Sequence, residues 1–185
     1  MQRVYLQPYD SRSPDEFARE SAAVASALGN ILTAIHHIGS TAIPGIRAKP
    51  IIDMIAVSAD ISLLDESPSP LEALGYEALG EFGIPGRRYF RKNNSAAERT
   101  HQIHSFQTGS PQIFRHLAFC DYLRAHPDAA RDYDTLKQQL AESYPKDISS
   151  YTSGKDSFIH DIDTMAVSWL SARANQTTYA NVSPQ

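Results

Sequence analysis

His37-Ile38-Gly39-Ser40-Thr41-Ala42-Ile43-Pro44-Gly45-Ile46-Arg47-Ala48-Lys49-Pro50-Ile51-Ile52-Asp53-Met54-Ile55 joins two apolar runs through a small Gly-Ser turn, and the second run carries one carboxylate in its middle. Near-continuous Val/Ile runs mark strands buried on both faces, so an Asp inside one needs a reason to be there. Gly39 lets backbone approach a ligand, Ser40 offers a hydroxyl and an N–H, and Asp53 can hold a divalent cation through oxygen. The pattern points to a phosphate-plus-metal site at the ends of two neighbouring strands.

Outward from this stretch, Ile31 to Ile38 and Ile51 to Val57 read as the two strands. Upstream, Ser13 as N-cap, Pro14 at the first helical position and Glu16 closing a Ser-x-x-Glu box predict a helix that Gly29 stops. Phe17, Val24, Ala25 and Leu28 form its apolar face. Downstream, Tyr76 to Phe82 and Arg88 to Arg91 are expected to pair around Gly83-Ile84-Pro85-Gly86, and His101 to Phe106 alternates as a further strand. The chain then turns helical. Ser110-Pro111 opens one helix, His126-Pro127 breaks it, and Tyr133, Leu136, Leu140 and Tyr144 stripe a second. A third over residues 155–172 has an apolar face that includes Trp169, read as core. The expected class is α/β or α+β, a mixed sheet flanked by helices with a helical C-terminal portion. One domain over 1–174 is expected, followed by a polar, frayed tail over 175–185.

A chain of 185 residues, 42% hydrophobic, holds enough apolar side chains for a sizeable core. The net charge of −4 and pI near 5.9 give no general electrostatic reason for nucleic acid or an anionic membrane as partner. Cys120 is the one cysteine, read as a packing residue, so no internal disulfide is available and a reducing cytoplasm is the expected location. No apolar signal segment or run of about 18 apolar residues is present.

Several motifs together resemble the GrpB family: His37 to Asp53, Gly80 to Lys92, Thr100 to Phe106, His116 to Arg124, and Tyr151-Thr152-Ser153-Gly154-Lys155. The resemblance spans roughly Val4 to Ala172 and implies a nucleotidyltransferase-like fold of the DNA polymerase β superfamily. Some members of that family are fused to dephospho-coenzyme A kinase domains, which points toward nucleotide or cofactor metabolism. In nucleotidyltransferases a Gly-Ser turn holds the triphosphate, and two strand carboxylates one residue apart hold Mg²⁺, because alternate strand residues share a face. Here Gly39, Ser40 and Asp53 match, and Ile55 stands where the second carboxylate would be.

The resemblance and the residues together assign Gly39, Ser40, Lys49, Arg88, Tyr151 and Lys155 to substrate or phosphate, and Asp53 and His104 to metal and catalysis. Lys49 either neutralises phosphate or pairs with Asp53. In Arg87-Arg88-Tyr89-Phe90-Arg91-Lys92 alternation places Arg87, Tyr89 and Arg91 on one face and Arg88, Phe90 and Lys92 on the other, and Arg88 is favoured over Arg87 as the ligand contact. Family members often carry His-x-His where this chain has Gln102-Ile103-His104, so a zinc pair is not expected and His104 stands alone as ligand or proton acceptor. Two functional readings follow. One is an enzyme that binds an NTP with Mg²⁺ or Mn²⁺ and transfers a nucleotidyl group to a small acceptor. The other is a non-catalytic module for a nucleotide, a coenzyme-A-related ligand or another phosphorylated metabolite.

Overall fold

In the computed structural model, which describes residues 4–65 and 69–180 and side chains as far as Arg173, helix α1 (Ser13–Leu28) has proline in its first turn and ends at Gly29, whose φ of +50° leaves the helical region. The capping box expected at Ser13 does not form. Arg12 holds the cap position without a side-chain bond of its own. The Asp10 carboxylate accepts the Arg12 N–H at 2.9 Å and the Arg12 guanidinium at 2.7 Å, so this tight turn fixes the helix entry one residue early.

Within the stretch expected as one domain, the chain forms two compact units, Leu6–Phe114 and Met1–Tyr5 with Arg115–Gln185. The first is built on strands β1 (Leu32–Ile38), β2 (Ile52–Ser58), β3 (Tyr76–Ala78), β4 (Arg88–Asn93) and β5 (Arg99–Gln107), in the order β1-β2-β5-β4-β3. Only the central β2–β5 pair is parallel. Val24 and Leu28 of α1 pack with Ile52, Met54, Ala56, Phe90 and Ile103, so α1 covers one face of the sheet. Alternation then places Asp53, Ile55, Tyr89, Gln102 and His104 on the opposite face. The strand expected over Tyr76 to Phe82 stops at Ala78. Leu79 and Gly80 each still share a backbone bond with Tyr89, at 2.9 and 2.8 Å, before Gly80 at φ +58° turns the chain out of the sheet.

The second unit carries α2 (Pro111–Ala125), α3 (Pro127–Ser143), α4 (Ile148–Ser153) and α5 (Asp156–Ala180). Helix α2 starts in the first unit and ends in the second. Asp147 caps α4 by accepting the Ser150 N–H at 3.0 Å and its hydroxyl at 2.6 Å. Ile162 and Ala166 are buried on α5, whereas Trp169 is only half-buried. Its ring meets Tyr122 and His126 edge-on and carries the Arg173 guanidinium 4.8 Å from its centre, a solvent-edge cluster in place of the core expected there. Of the tail expected from Asn175, residues 181–185 lie outside the described residues, and α5 runs to Ala180. Among the described residues no helix is long and apolar enough to cross a membrane. The architecture is the expected α+β class with a mixed sheet and a helical C-terminal portion.

Candidate functional site

Asp53 sits where β1 ends and β2 begins. Its register partner is Ile38, so its carboxylate lies against the following turn. A Cβ added to Gly39 would stand 2.7 Å from Asp53 Oδ2, and Gly39 adopts φ +72° and ψ −172°, a conformation reserved for glycine. The Gly-Ser turn is therefore shaped around the carboxylate. Beyond it, Ser40–Ala42 winds one tight turn, with the Ile43 N–H on the Ser40 carbonyl at 3.2 Å. Thr41 ties this loop to β2. Its hydroxyl donates to the Ile51 carbonyl at 3.2 Å, so it accepts from His37 Nε2 at 3.0 Å. His37 in turn stacks on Phe17 of α1, 4.9 Å between ring centres, which makes it a brace for the turn.

The cations of this face distinguish it. Arg87 is only 5% exposed. Its guanidinium donates to the carbonyls of Glu81 (3.2 Å) and Phe82 (2.7 Å) and to His104 Nδ1 (3.2 Å), and lies 4.8 Å from the centre of the Tyr89 ring. None of these partners carries a negative charge. Burial pulls the Arg87 pKa down, opposed by Tyr89. A buried cation lacking a carboxylate is costly unless something else supplies charge.

Arg99 joins the same face through an irregularity. The β4–β5 register slips between Lys92 and Asn93, so Lys92 faces His101 while Asn93 faces Arg99. The extra residue, Thr100, reverses the alternation and re-aims Arg99 away from the α1 side. The Arg99 charge accordingly acts on Lys49 and Tyr89. Its Nε is buried with no hydrogen-bond partner among the described residues. The Lys49 ammonium is pulled below its usual range first by burial and then by Arg99, with Asp53 opposing both. Burial raises the Tyr89 phenol, whose OH donates to Gln102 Oε1 at 2.7 Å. Arg91 is paired with Glu77 at 2.6 Å. Four cations, Lys49, Arg87, Arg91 and Arg99, thus accompany two carboxylates, Asp53 and Glu77.

Arg88, expected as the ligand contact, lies on the α1 side and forms a two-pronged pair with Asp65, one bond at 2.6 Å. The alternation along β4 is as expected, but the face with Phe90 and Lys92 is the one that α1 covers. Phe90 enters the core, and Lys92 binds Glu20 at 2.8 Å. Of these two neighbouring arginines, Arg87 is the one that reaches the Asp53 face. Tyr151 and Lys155 belong to the second unit. Tyr151 is buried, which pushes its phenol up to about 12 with a smaller push from Asp134, and the Lys155 amine lies 4.6 Å from the centre of its ring.

His104 stands beside Ile55 in register, on the same face as Asp53. A guanidinium only donates, so its bond to Nδ1 uses that nitrogen's lone pair and leaves the neutral ring with its proton on Nε2. Ile55 is fully buried at the second-carboxylate position. Among the described residues no group of three or more His, Cys, Asp or Glu side chains is arranged to hold a metal. The donor set of this face, Asp53 among cations with Glu77 engaged by Arg91, does not fit a resident divalent ion. Arg87, Arg99 and Phe82 were not singled out from the sequence as ligand contacts. Arg87 carried a signal in its alternation with Tyr89, while Arg99 and Phe82 depend on a bulge and a turn that no spacing reveals.

Comparison with known proteins agrees with the motifs. A family model described as GrpB protein matches residues 3–164. The crystal structure of conserved protein GrpB from Enterococcus faecalis superposes with a TM-score of 0.84 at 40% identity, covering 90% of this chain and 99% of that one. UPF0157 protein YqkA of Bacillus subtilis is 42% identical over 173 residues, 94% of this chain and 50% of that protein. A dephospho-CoA kinase of Mycolicibacterium paratuberculosis is 29% identical over 90% of this chain and 46% of its own length. The chain thus spans about half the length of these last two relatives. On its motifs, its matched span and its fold, the chain belongs to the GrpB family.

Proposed function

We propose that the face bearing Asp53 binds the phosphate groups of a nucleotide or coenzyme-A-type metabolite. The observation that carries this reading is Arg87, a buried guanidinium held by two carbonyls and a histidine with no carboxylate beside it. Arg99 and Lys49 add positive charge on the same face, and the turn at Gly39 and Ser40 brings backbone close to it. Paired guanidinium bonds suit phosphate oxygens. Asp53 keeps the turn in shape and repels an anion that approaches from its side, which gives the ligand a direction. The likeness to a dephospho-CoA kinase favours a nucleotide or coenzyme-A-related ligand over a simple sugar phosphate.

The test is isothermal titration of the full chain with ATP, dephospho-coenzyme A and coenzyme A, each with and without Mg²⁺ or Mn²⁺. At least one ligand is expected to bind without metal. Arg87→Met should weaken it by about 10- to 150-fold, the loss of one or two charge-assisted bonds. Binding that needs metal and ignores Arg87 would exclude the reading. A second reading, nucleotidyl transfer to a small acceptor, is favoured by the contact between Asp53 and the glycine turn. Its signature is pyrophosphate released from an NTP by the wild type and not by Asp53→Asn.

A further inference from the structure

Within the turn from Gly80 to Gly86, four residues adopt positive φ. Three are glycines, at +58°, +83° and +76°, and the fourth is Phe82 at +43°. A bulky aromatic in the left-handed region is strained, and such strain persists where surroundings over-determine it. Here they do. The Phe82 carbonyl holds Arg87 Nη2 at 2.7 Å, the Glu81 carbonyl holds Arg87 Nε at 3.2 Å, and the Glu81 carboxylate accepts the Gly86 N–H at 2.6 Å.

The strain leaves the ring in an unusual place. Phe82 is 59% exposed, second only to Tyr5 among the large hydrophobic side chains of the described residues. It is not loose: it stacks on Tyr89 with ring centres 5.2 Å apart and an interplanar angle of 21°. Tyr89 also touches Arg87 and His104, so the stack stands directly beside the cation cluster. Packing alone would place such a ring inside, and a glycine would serve the turn better.

We propose that Phe82 is the stacking platform for the heteroaromatic base of the ligand whose phosphates the Arg87 cluster holds, an inference that rests on the anion-binding reading above. Tyr89 supports the inner face of the ring, and the base occupies the outer one. Because Arg87 is bonded to the carbonyl of Phe82 itself, the two ends of the ligand are read by one rigid turn. Aromatic platforms tolerate any base, since each has a π-face. The site therefore takes a nucleotide by shape and charge and leaves the choice of base to other contacts.

The experiment is titration of the full-length wild type, Phe82→Ala and Phe82→Trp with ATP, coenzyme A and inorganic tripolyphosphate. Phe82→Ala should lose about 5- to 150-fold in affinity for ATP or coenzyme A, the range for one base–aromatic stack, and nothing for tripolyphosphate. Phe82→Trp should keep the affinity. Equal weakening of all three ligands in Phe82→Ala would overturn the proposal and make Phe82 a brace for Arg87. Unchanged ATP and coenzyme A affinity would overturn it as well. Wild type that binds tripolyphosphate as tightly as either nucleotide defeats the stacking proposal alone. Wild type that binds none of the three defeats the anion-binding reading and this inference with it.

Discussion

At Gly39 an added methyl would meet Asp53 Oδ2 at 2.7 Å, and at Gly154 it would run into Leu140 Cδ2. Both glycines sit in family-like motifs, and both are crowded. What they make room for differs. Gly39 accommodates a carboxylate on a face where Arg87 has no acidic partner and Arg99 Nε has none of any kind among the described residues. Gly154 accommodates a leucine of α3, next to the buried Tyr151. The cations follow suit. In the helical unit Lys155 lies over Tyr151, Lys137 lies over Tyr133 at 4.9 Å, Arg115 pairs with Asp163 at 3.1 Å, and Arg173 covers Trp169. There polar residues complete packing. On the sheet face the buried Arg87 is held by neutral partners and Arg99 Nε has no hydrogen-bond partner among the described residues, and the proposed anion binding rests on that contrast.

Substitution at the two glycines separates these roles with the largest expected effects. Gly39→Ala combines a backbone conformation closed to alanine with a clash against a carboxylate, and should cost about 2–5 kcal/mol of stability. It should also abolish the ligand binding proposed for this face. Adding Asp53→Ala should restore the part due to the clash and leave the backbone part, a coupling readable by urea unfolding. Gly154 has φ of −61°, open to alanine, and its near contact is a flexible side-chain end. Gly154→Ala should cost about 1–3 kcal/mol from overpacking and leave every ligand affinity as it was. A ligand defect in Gly154→Ala would break the comparison.

How far the sequence discloses this contrast depends on the element. Pro14 and Gly29 bracket α1 as expected, and the alternation of Ile52 to Val57 places Asp53 on the face opposite Met54. Parity also groups Asp53, Gln102 and His104 correctly, because β2 and β5 pair in a regular ladder. Parity cannot say which face a helix will cover. That is why Arg88 was favoured over Arg87: each set of β4 side chains is self-consistent until α1 claims one of them. Arg99 was out of reach for a different reason. Strict alternation puts it with His101, and the bulge at Thr100 reverses it. Phe82 reads as the end of a strand until Gly80 turns the chain out. The motif Tyr151 to Lys155, expected as a phosphate contact, also packs its Gly154 against Leu140 of α3. Capping by Asp147 and the filled space beside Gly154 are tertiary facts that a one-dimensional spacing does not hold.

The α1 side of the sheet offers a control of intermediate size. His101 is buried there, and its Nδ1 donates to Thr100 Oγ1 at 2.9 Å, since that hydroxyl already donates to the Lys92 carbonyl. Its Nε2 is buried without a hydrogen-bond partner among the described residues. Burial lowers the His101 pKa below the usual 6.5, helped by Lys92 and opposed by Glu20 and Glu16. The unfolded chain therefore binds more protons than the folded one between the depressed value and 6.5. Stability rises with pH across that window and falls as pH drops below 6.5, by at most about 1.4 kcal/mol per pH unit from this group. His101→Gln should flatten that part of the curve in urea melts at pH 5–7. Because His101 faces α1, the ligand affinity at fixed pH should not move. A variant that changes affinity and leaves the pH slope intact would tie the two faces together, against the comparison.

The smallest effect discriminates most sharply between neighbours. Arg88 follows Arg87 directly and has the same chemistry, but it pairs with an Asp65 that is half exposed. Exposed pairs contribute about 0.2–1 kcal/mol, even where the geometry is two-pronged. Arg88→Ala should therefore shift the unfolding midpoint only slightly and leave ATP and coenzyme A affinity at the wild-type value, while Arg87→Met loses most of it. Raising salt should erase the Arg88 effect on stability, because the pair is screened. It should leave the ratio of Arg87→Met to wild-type affinity largely intact, because that guanidinium is buried. If the two substitutions weakened binding alike, the response would belong to the net charge of the strand, and the buried, carboxylate-free setting of Arg87 would carry no information about function.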